Sequence, residues 1–208
     1  MRIVTSILSI VFSTTIFAQE QVAKEVLDKL SATTKSYKNM TIEFDFILEN
    51  KSQNIKEQQQ GTLVLEGKKF QLIMDNQIII NDGESQWIYL TDMNEVQIIK
   101  HDPKDEMMSP NKLFTIYESG YKYTYVGANS EKGKRLQIID LFPKASREFM
   151  KINIAVDAAN NQLQRITIHD KNGGTYSYVV KSFKSNTAIK PILFKSSDFP
   201  GVEVIDLR

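Results

Sequence analysis

From Thr41 onward the side chains of this sequence alternate with a period of two, and run after run repeats the pattern almost to the C-terminus. Ile42, Phe44, Phe46 and Leu48 alternate with Glu43, Asp45 and Ile47, the mark of a strand with one face buried and one wet. Further runs follow at Gly61 to Leu65, Lys69 to Asp75, Gln77 to Ile80, Ser85 to Thr91 and Glu95 to Lys100. A second series covers Tyr121 to Val126, Lys134 to Phe142, Glu148 to Val156, Leu163 to Asp170 and Thr175 to Phe183. Turn formers separate them, among them Glu66-Gly67, Asn81-Asp82-Gly83, Asn160-Asn161 and Asn172-Gly173-Gly174. Connections of two to six residues are too short for parallel crossovers, so the sheet is predicted to be antiparallel. About ten or eleven strands strain an open flat sheet, which favours curling into a barrel or half-barrel.

Two helical signals interrupt the strands. Val22, Ala23, Val26, Leu27 and Leu30 fall on one helical face, with Lys24, Glu25, Asp28 and Lys29 on the other, predicting an amphipathic helix over Gln19 to Lys35. Between His101 and Gly120 the period-two pattern stops. Ser109 as cap and Pro110 in the first helical position start a short inserted helix, with Leu113, Phe114, Ile116 and Tyr117 on one side and Gly120 at its end.

Ahead of the first helix, Arg2 followed by the apolar stretch Ile3 to Phe17 reads as a signal peptide over residues 1–18, with cleavage at or within a residue or two of Ala18. Removing those 18 of the 208 residues leaves 190, enough for one domain with a sizeable core over residues 19–208. The remaining 25 basic and 25 acidic residues balance, which leaves no electrostatic footprint for nucleic acid or anionic headgroups. With no cysteine there is no disulfide and no thiol for lipidation. An exported chain without an anchor is expected in the periplasm or outside the cell.

The inventory of catalytic groups is thin. His101 and His169, the two histidines, have no metal-ligand spacing and read as surface residues. The acids of Asp82-Gly83-Glu84 and of Asp102, Asp105 and Glu106 read as solvated turn residues rather than a glycosidase pair. Nucleophile elbow, P-loop and dinucleotide fingerprint are all absent from the sequence, and neither an enzyme nor a cofactor is expected. What abounds is apolar surface: 11 Phe, 8 Tyr and 7 Met on a curled sheet that an amphipathic helix can cover. For any one of these residues, core packing is the commoner role. Together they leave a concave apolar volume. Met107-Met108, just before the inserted helix, suits an adaptable lid.

Three local patterns carry a resemblance. Asn81-Asp82-Gly83-Glu84-Ser85-Gln86-Trp87-Ile88-Tyr89, then Gly61-Thr62-Leu63 followed by Lys69-Phe70, and finally Leu193-Phe194-Lys195 with Phe199-Pro200-Gly201-Val202-Glu203-Val204-Ile205-Asp206 stand where related motifs stand in the outer-membrane lipoprotein carrier family, LolA. The sequence resembles that family across nearly the whole chain after residue 18. The resemblance implies a mainly β fold (α+β), an incomplete β-barrel closed by the N-terminal helix and the inserted helix as lid. It implies a periplasmic carrier, expected to act as a monomer, that takes acylated lipoproteins from an inner-membrane ABC transporter to an outer-membrane acceptor. A carrier of free lipid or glycolipid, and an envelope sensor or interaction module, are the competing readings. Well-known members place an Arg-Pro pair after the G-x-L strand, where the arginine latches the lid; here Leu65-Glu66-Gly67-Lys68-Lys69 has none. Lys68 or Lys69 could stand in, without the forked geometry of arginine. The cavity is expected to be lined by Phe44, Phe46, Leu63, Leu65, Leu72, Met74, Trp87, Tyr89 and Ile98 from strands. Leu113, Phe114 and Tyr117 are expected from the inserted helix, and Val26, Leu27 and Leu30 from the first.

Overall fold

Apolar residues at steps of three and four need a partner surface, and in the computed structural model the sheet supplies it. The structure describes residues 11–100, 110 and 114–208, with side chains from Ala18 onward. Helix α1 spans Val11–Lys35. Ala23, Val26, Leu27, Leu30 and Ser31 form its buried stripe, whereas Val22 faces outward.

Twelve strands follow: β1 Asn39–Asn50, β2 Ile55–Glu66, β3 Lys69–Met74, β4 Gln77–Asn81, β5 Ser85–Leu90, β6 Glu95–Lys100, β7 Tyr121–Glu131, β8 Lys134–Pro143, β9 Phe149–Asp157, β10 Gln162–Asp170, β11 Gly174–Ser185 and β12 Glu203–Asp206. They make one curled open sheet in the order β12-β6-β5-β4-β3-β2-β1-β11-β10-β9-β8-β7. Two antiparallel meanders, β1 to β6 and β7 to β11, are joined where β1 pairs with β11 from Met40↔Ser185 to Asn50↔Gly174. This is the expected incomplete barrel, mainly β with helical cover. One pairing departs from the antiparallel expectation: β12 returns from the far end of the chain and lies parallel to β6.

The curl divides the sheet into a concave and a convex face. On the concave face Ile42, Phe44, Leu63, Leu65, Phe70, Ile139, Leu141, Ile152 and Ile154 merge with the buried stripe of α1 into one core. At roughly 1.5–3 kcal/mol for each fully buried large aliphatic or aromatic side chain, this core is the main stabilising term of the fold. Helix α1 packs against β7 and β10, over the second meander. On the convex face of that meander polar groups pair with one another. Lys151 and Asn153 both donate to the Asp140 carboxylate at 2.7 Å, and Arg165 bridges to Glu131 at 2.8 Å.

The inserted helix is only partly within the described residues. Leu113, the Met107-Met108 pair, His101 and the acids from Asp102 to Glu106 lie outside them. Where the segment is described, Ile116–Glu118 forms a single 3-10 turn rather than the continuing α-helix expected, and Ile116 and Tyr117 are buried. One apolar turn satisfies the burial while the chain enters β7 directly through Gly120, which stands at φ +82°.

Candidate functional site

The middle of the concave face of β1 to β5 is apolar, and α1 packs on β7 and β10 instead. An unfilled space remains on that face. It has a volume of about 290 Å³ and is walled by Ile42, Phe44, Leu63, Phe70, Leu72, Met74, Ile79 and Ile88 from the first meander. Leu163, Ile166, Tyr178 and Val180 close it from β10 and β11, and Pro110 and Phe114 from the insertion. Of the fifteen described lining residues, only Gln77 and Tyr178 carry a polar side-chain N or O atom. Burial raises the Tyr178 phenol above its ordinary value, which keeps that group neutral.

The residues expected at the cavity divide into three groups. Phe44, Leu63, Leu72, Met74 and Phe114 come together on its wall. Phe46 sits beside them, its ring 5.2 Å from that of Tyr178. Leu65, Tyr117, Val26, Leu27 and Leu30 belong to the same continuous core but do not line the cavity.

Trp87, Tyr89 and Ile98 are placed on the opposite face. Ile88 points into the cavity, so its neighbours Trp87 and Tyr89 point outward, and Ile98 pairs with Trp87 across β5 and β6. There the segment after β11 covers them. Phe194 stacks on Trp87 with centroids 5.6 Å apart and planes 4° apart, and Phe199 packs on Tyr89 at 4.8 Å. Ile78-Ile79-Ile80 and Trp87-Ile88-Tyr89 are apolar on both faces, so alternation could not tell inside from outside here.

The sequence reading missed the walls contributed by β10 and β11. Both strands carry register shifts, between Leu163 and Arg165 and at the β11 partners of Glu43 and Phe44, which break the count of two along the strand.

Polar groups tie α1 to the end of the insertion. The Tyr117 hydroxyl donates to the Asp28 carboxylate at 3.0 Å. One carboxylate oxygen of Glu118 accepts from Lys35 at 2.8 Å and from the Ser31 hydroxyl at 3.4 Å. Hydrogen bonding from Lys24, 2.6 Å away, and from Tyr117 lowers the Asp28 pKa. Burial, together with Asp28, pushes the Tyr117 phenol up to about 12. Gly67 makes the β2–β3 turn at φ +58°.

The Asp82 carboxylate accepts from the backbone N–H of Glu84 and of Ser85, each at 2.9 Å, and so serves the turn. Burial, with Lys151 nearby, lowers the pKa of the half-buried His169. Among the described residues no group of three or more acids and histidines is placed to hold a metal ion, and no helix is long and apolar enough to cross a membrane.

Known proteins resemble this chain in both sequence and fold. Outer-membrane lipoprotein carrier proteins of Legionella pneumophila, strains Lens and Corby, are 26% identical over 208 residues, covering 96% of this chain and 96% of each relative. An uncharacterized conserved protein from Thermus thermophilus shares the fold with a TM-score of 0.58 at 12% identity, over 89% of this chain and 99% of that one. The Mycobacterium tuberculosis lipoprotein LppX does so with a TM-score of 0.51 at 10% identity, over 82% and 98%. Residues 35–197 match the family described as outer membrane lipoprotein carrier protein LolA. The motifs, the curled sheet and this match agree, and the chain belongs to the LolA family of lipoprotein carriers.

Proposed function

We propose that this protein binds the acyl chains of lipoproteins in its concave cavity and carries them through the periplasm from the inner to the outer membrane. The observation that carries this reading is the apolar space of about 290 Å³ between sheet and insertion, in a member of a lipoprotein carrier family. At the ~30 Å³ that one molecule of liquid water occupies, it has room for about ten groups of methylene size. Ten methylenes leaving water gain on the order of 8 kcal/mol before ordering costs. That suffices to keep one chain out of solvent. An anchor of several chains needs the insertion to swing away from α1, and the core contacts given up in opening lower the net affinity enough for release.

In this reading residues 1–18 are removed on export and residues 19–208 work as one monomeric domain. Cargo is received from an inner-membrane ABC transporter and passed to an outer-membrane acceptor. The chain works without a cofactor and is not an enzyme, since shielding and release need only differential burial.

The test is incubation of the purified protein with spheroplasts, followed by analysis of what it brings into the soluble fraction. A stoichiometric complex with intact acylated lipoprotein is expected. Free phospholipid or glycolipid alone would move the function to lipid transport. An empty protein beside a working control carrier would sink the carrier reading and favour a sensor or interaction module.

A further inference from the structure

In the antiparallel pair of β1 and β2, Phe44 stands directly opposite Gly61, and Gly61 in turn faces Met74 on β3. The Phe44 ring lies flat over the glycine. A Cβ placed on Gly61 would come within 2.8 Å and 2.9 Å of the ring's Cε2 and Cε1, and closer still to Cζ. Such approaches are far inside van der Waals contact, so the distal end of the buried Phe44 ring is what would have to move. Gly61 is not among the residues with positive φ, so its backbone conformation is open to any amino acid. Space, rather than backbone freedom, therefore accounts for glycine at this position.

Phe44 is 5% exposed, and its ring is part of the cavity wall. Across β11 it faces Val180, with Tyr178 two residues along the strand, and both line the same cavity. With any side chain at residue 61, the ring has to rise off β2 toward Tyr178, whose ring centroid is 5.7 Å away. That direction is into the cavity.

We propose that Gly61 is a specificity-determining residue: by letting the Phe44 ring lie flat on β2, it sets the depth of the cavity and so the length of acyl chain that fits. This inference rests on the carrier reading above. The pair works as a spacer, with Gly61 as floor and Phe44 as the side chain laid on it.

The test is a cycle of variants of the full protein, Gly61→Ala, Phe44→Leu and the double change. Each is titrated with lauric, myristic, palmitic and stearic acid by displacement of a fluorescent apolar probe. Gly61→Ala is expected to weaken binding of the longest acid that fits by about tenfold, the effect of excluding roughly two methylenes. Phe44→Leu alone is expected to shift the optimum toward longer acids, and the double variant to return to the wild-type optimum. Thermal midpoints and Trp87 emission, which reads the opposite face of the sheet, report folding separately. If Gly61→Ala does not fold, Phe44→Leu against the double variant reads the same spacer. Equal chain-length profiles for all folded variants would overturn the proposal while leaving the carrier reading intact. A wild-type protein that takes up none of the acids, and no lipoprotein from spheroplasts, would overturn both.

Discussion

Tyr117 and Asp28 are 89 positions apart in sequence, and a hydrogen bond of 3.0 Å joins them. It links the end of the insertion to α1, beside the ion pair of Lys35 with Glu118. In this chain the end of the insertion and α1 are clasped to each other.

Tyr117→Phe removes the donor and leaves the buried ring in place. A hydrogen bond to a charged but partly solvated acceptor is worth about 1 kcal/mol, so the urea midpoint should fall correspondingly. A midpoint equal to wild type would mean that the clasp contributes nothing measurable.

The pH dependence has two limbs of known sign. Asp28 has a folded pKa below its ordinary value of 3.8, so its contribution is present above about pH 4 and is lost as pH falls through the lowered value. Tyr117 has a folded pKa of about 12 against an ordinary 10.0, so its contribution is full below pH 10 and disappears as pH rises through 12. The difference in stability between wild type and Tyr117→Phe should therefore be flat near neutrality and shrink at both ends. Melting curves of the two proteins across pH check this, and a difference that grows in alkali would contradict it.

The outer aromatic stack has a built-in reporter, because Trp87 is the one tryptophan of the chain. Phe194→Ala should shift Trp87 emission to the red and cost about 1 kcal/mol or more, since a stacked aromatic pair adds roughly 0.5–1.5 kcal/mol beyond its buried area. Cargo binding should be unchanged because Trp87 faces away from the cavity. Loss of cargo at unchanged stability would place the functional surface on the wrong face.

Leu72→Glu puts a carboxylate on the cavity wall at a half-buried position. Desolvating that charge against an acyl chain should weaken cargo binding on the order of 100-fold or more. Trp87 emission should stay native. Undiminished transfer of lipoprotein from spheroplasts would show that cargo binds elsewhere.

Leu27→Ala truncates a side chain with no exposed surface where α1 meets the sheet. A loss of about 2–5 kcal/mol is expected from denaturant unfolding, as for other fully buried leucines. A loss below that range would mean that the helix collapses onto the sheet to fill the gap.

Most of the fold was legible because its signals are local. The alternation from Ile42 to Leu48 requires an exposed and a buried face, and Asn161 and Gly173, in the left-handed region at φ 51° and 82°, make the hairpin turns expected of them. The steps of three and four from Ala23 to Leu30 could only be a helix lying on something apolar. The cavity was legible on β1 to β3, where alternation is clean, and there Phe44, Leu63, Leu72 and Met74 share one wall. It became illegible on β5 and β6. Trp87 and Ile88 are both apolar, and period alone assigns neither to a face.

Local sequence by itself thus determined eleven of the twelve strands, their turns, the first helix and the family, because each depends on residues a few positions apart. Three matters were decided only in the folded molecule. The segment carrying Phe194 and Phe199 covers the outer face of β5, which turns Trp87 and Tyr89 from cavity residues into a second, external cluster. The parallel pairing of β12 with β6 closes an edge with strands that are distant in the chain. The clasp of Tyr117 on Asp28 joins side chains 89 positions apart that only the tertiary structure brings together. In each case the partner is chosen by which apolar or polar surface is still uncovered once the sheet has formed, and that depends on the whole chain at once.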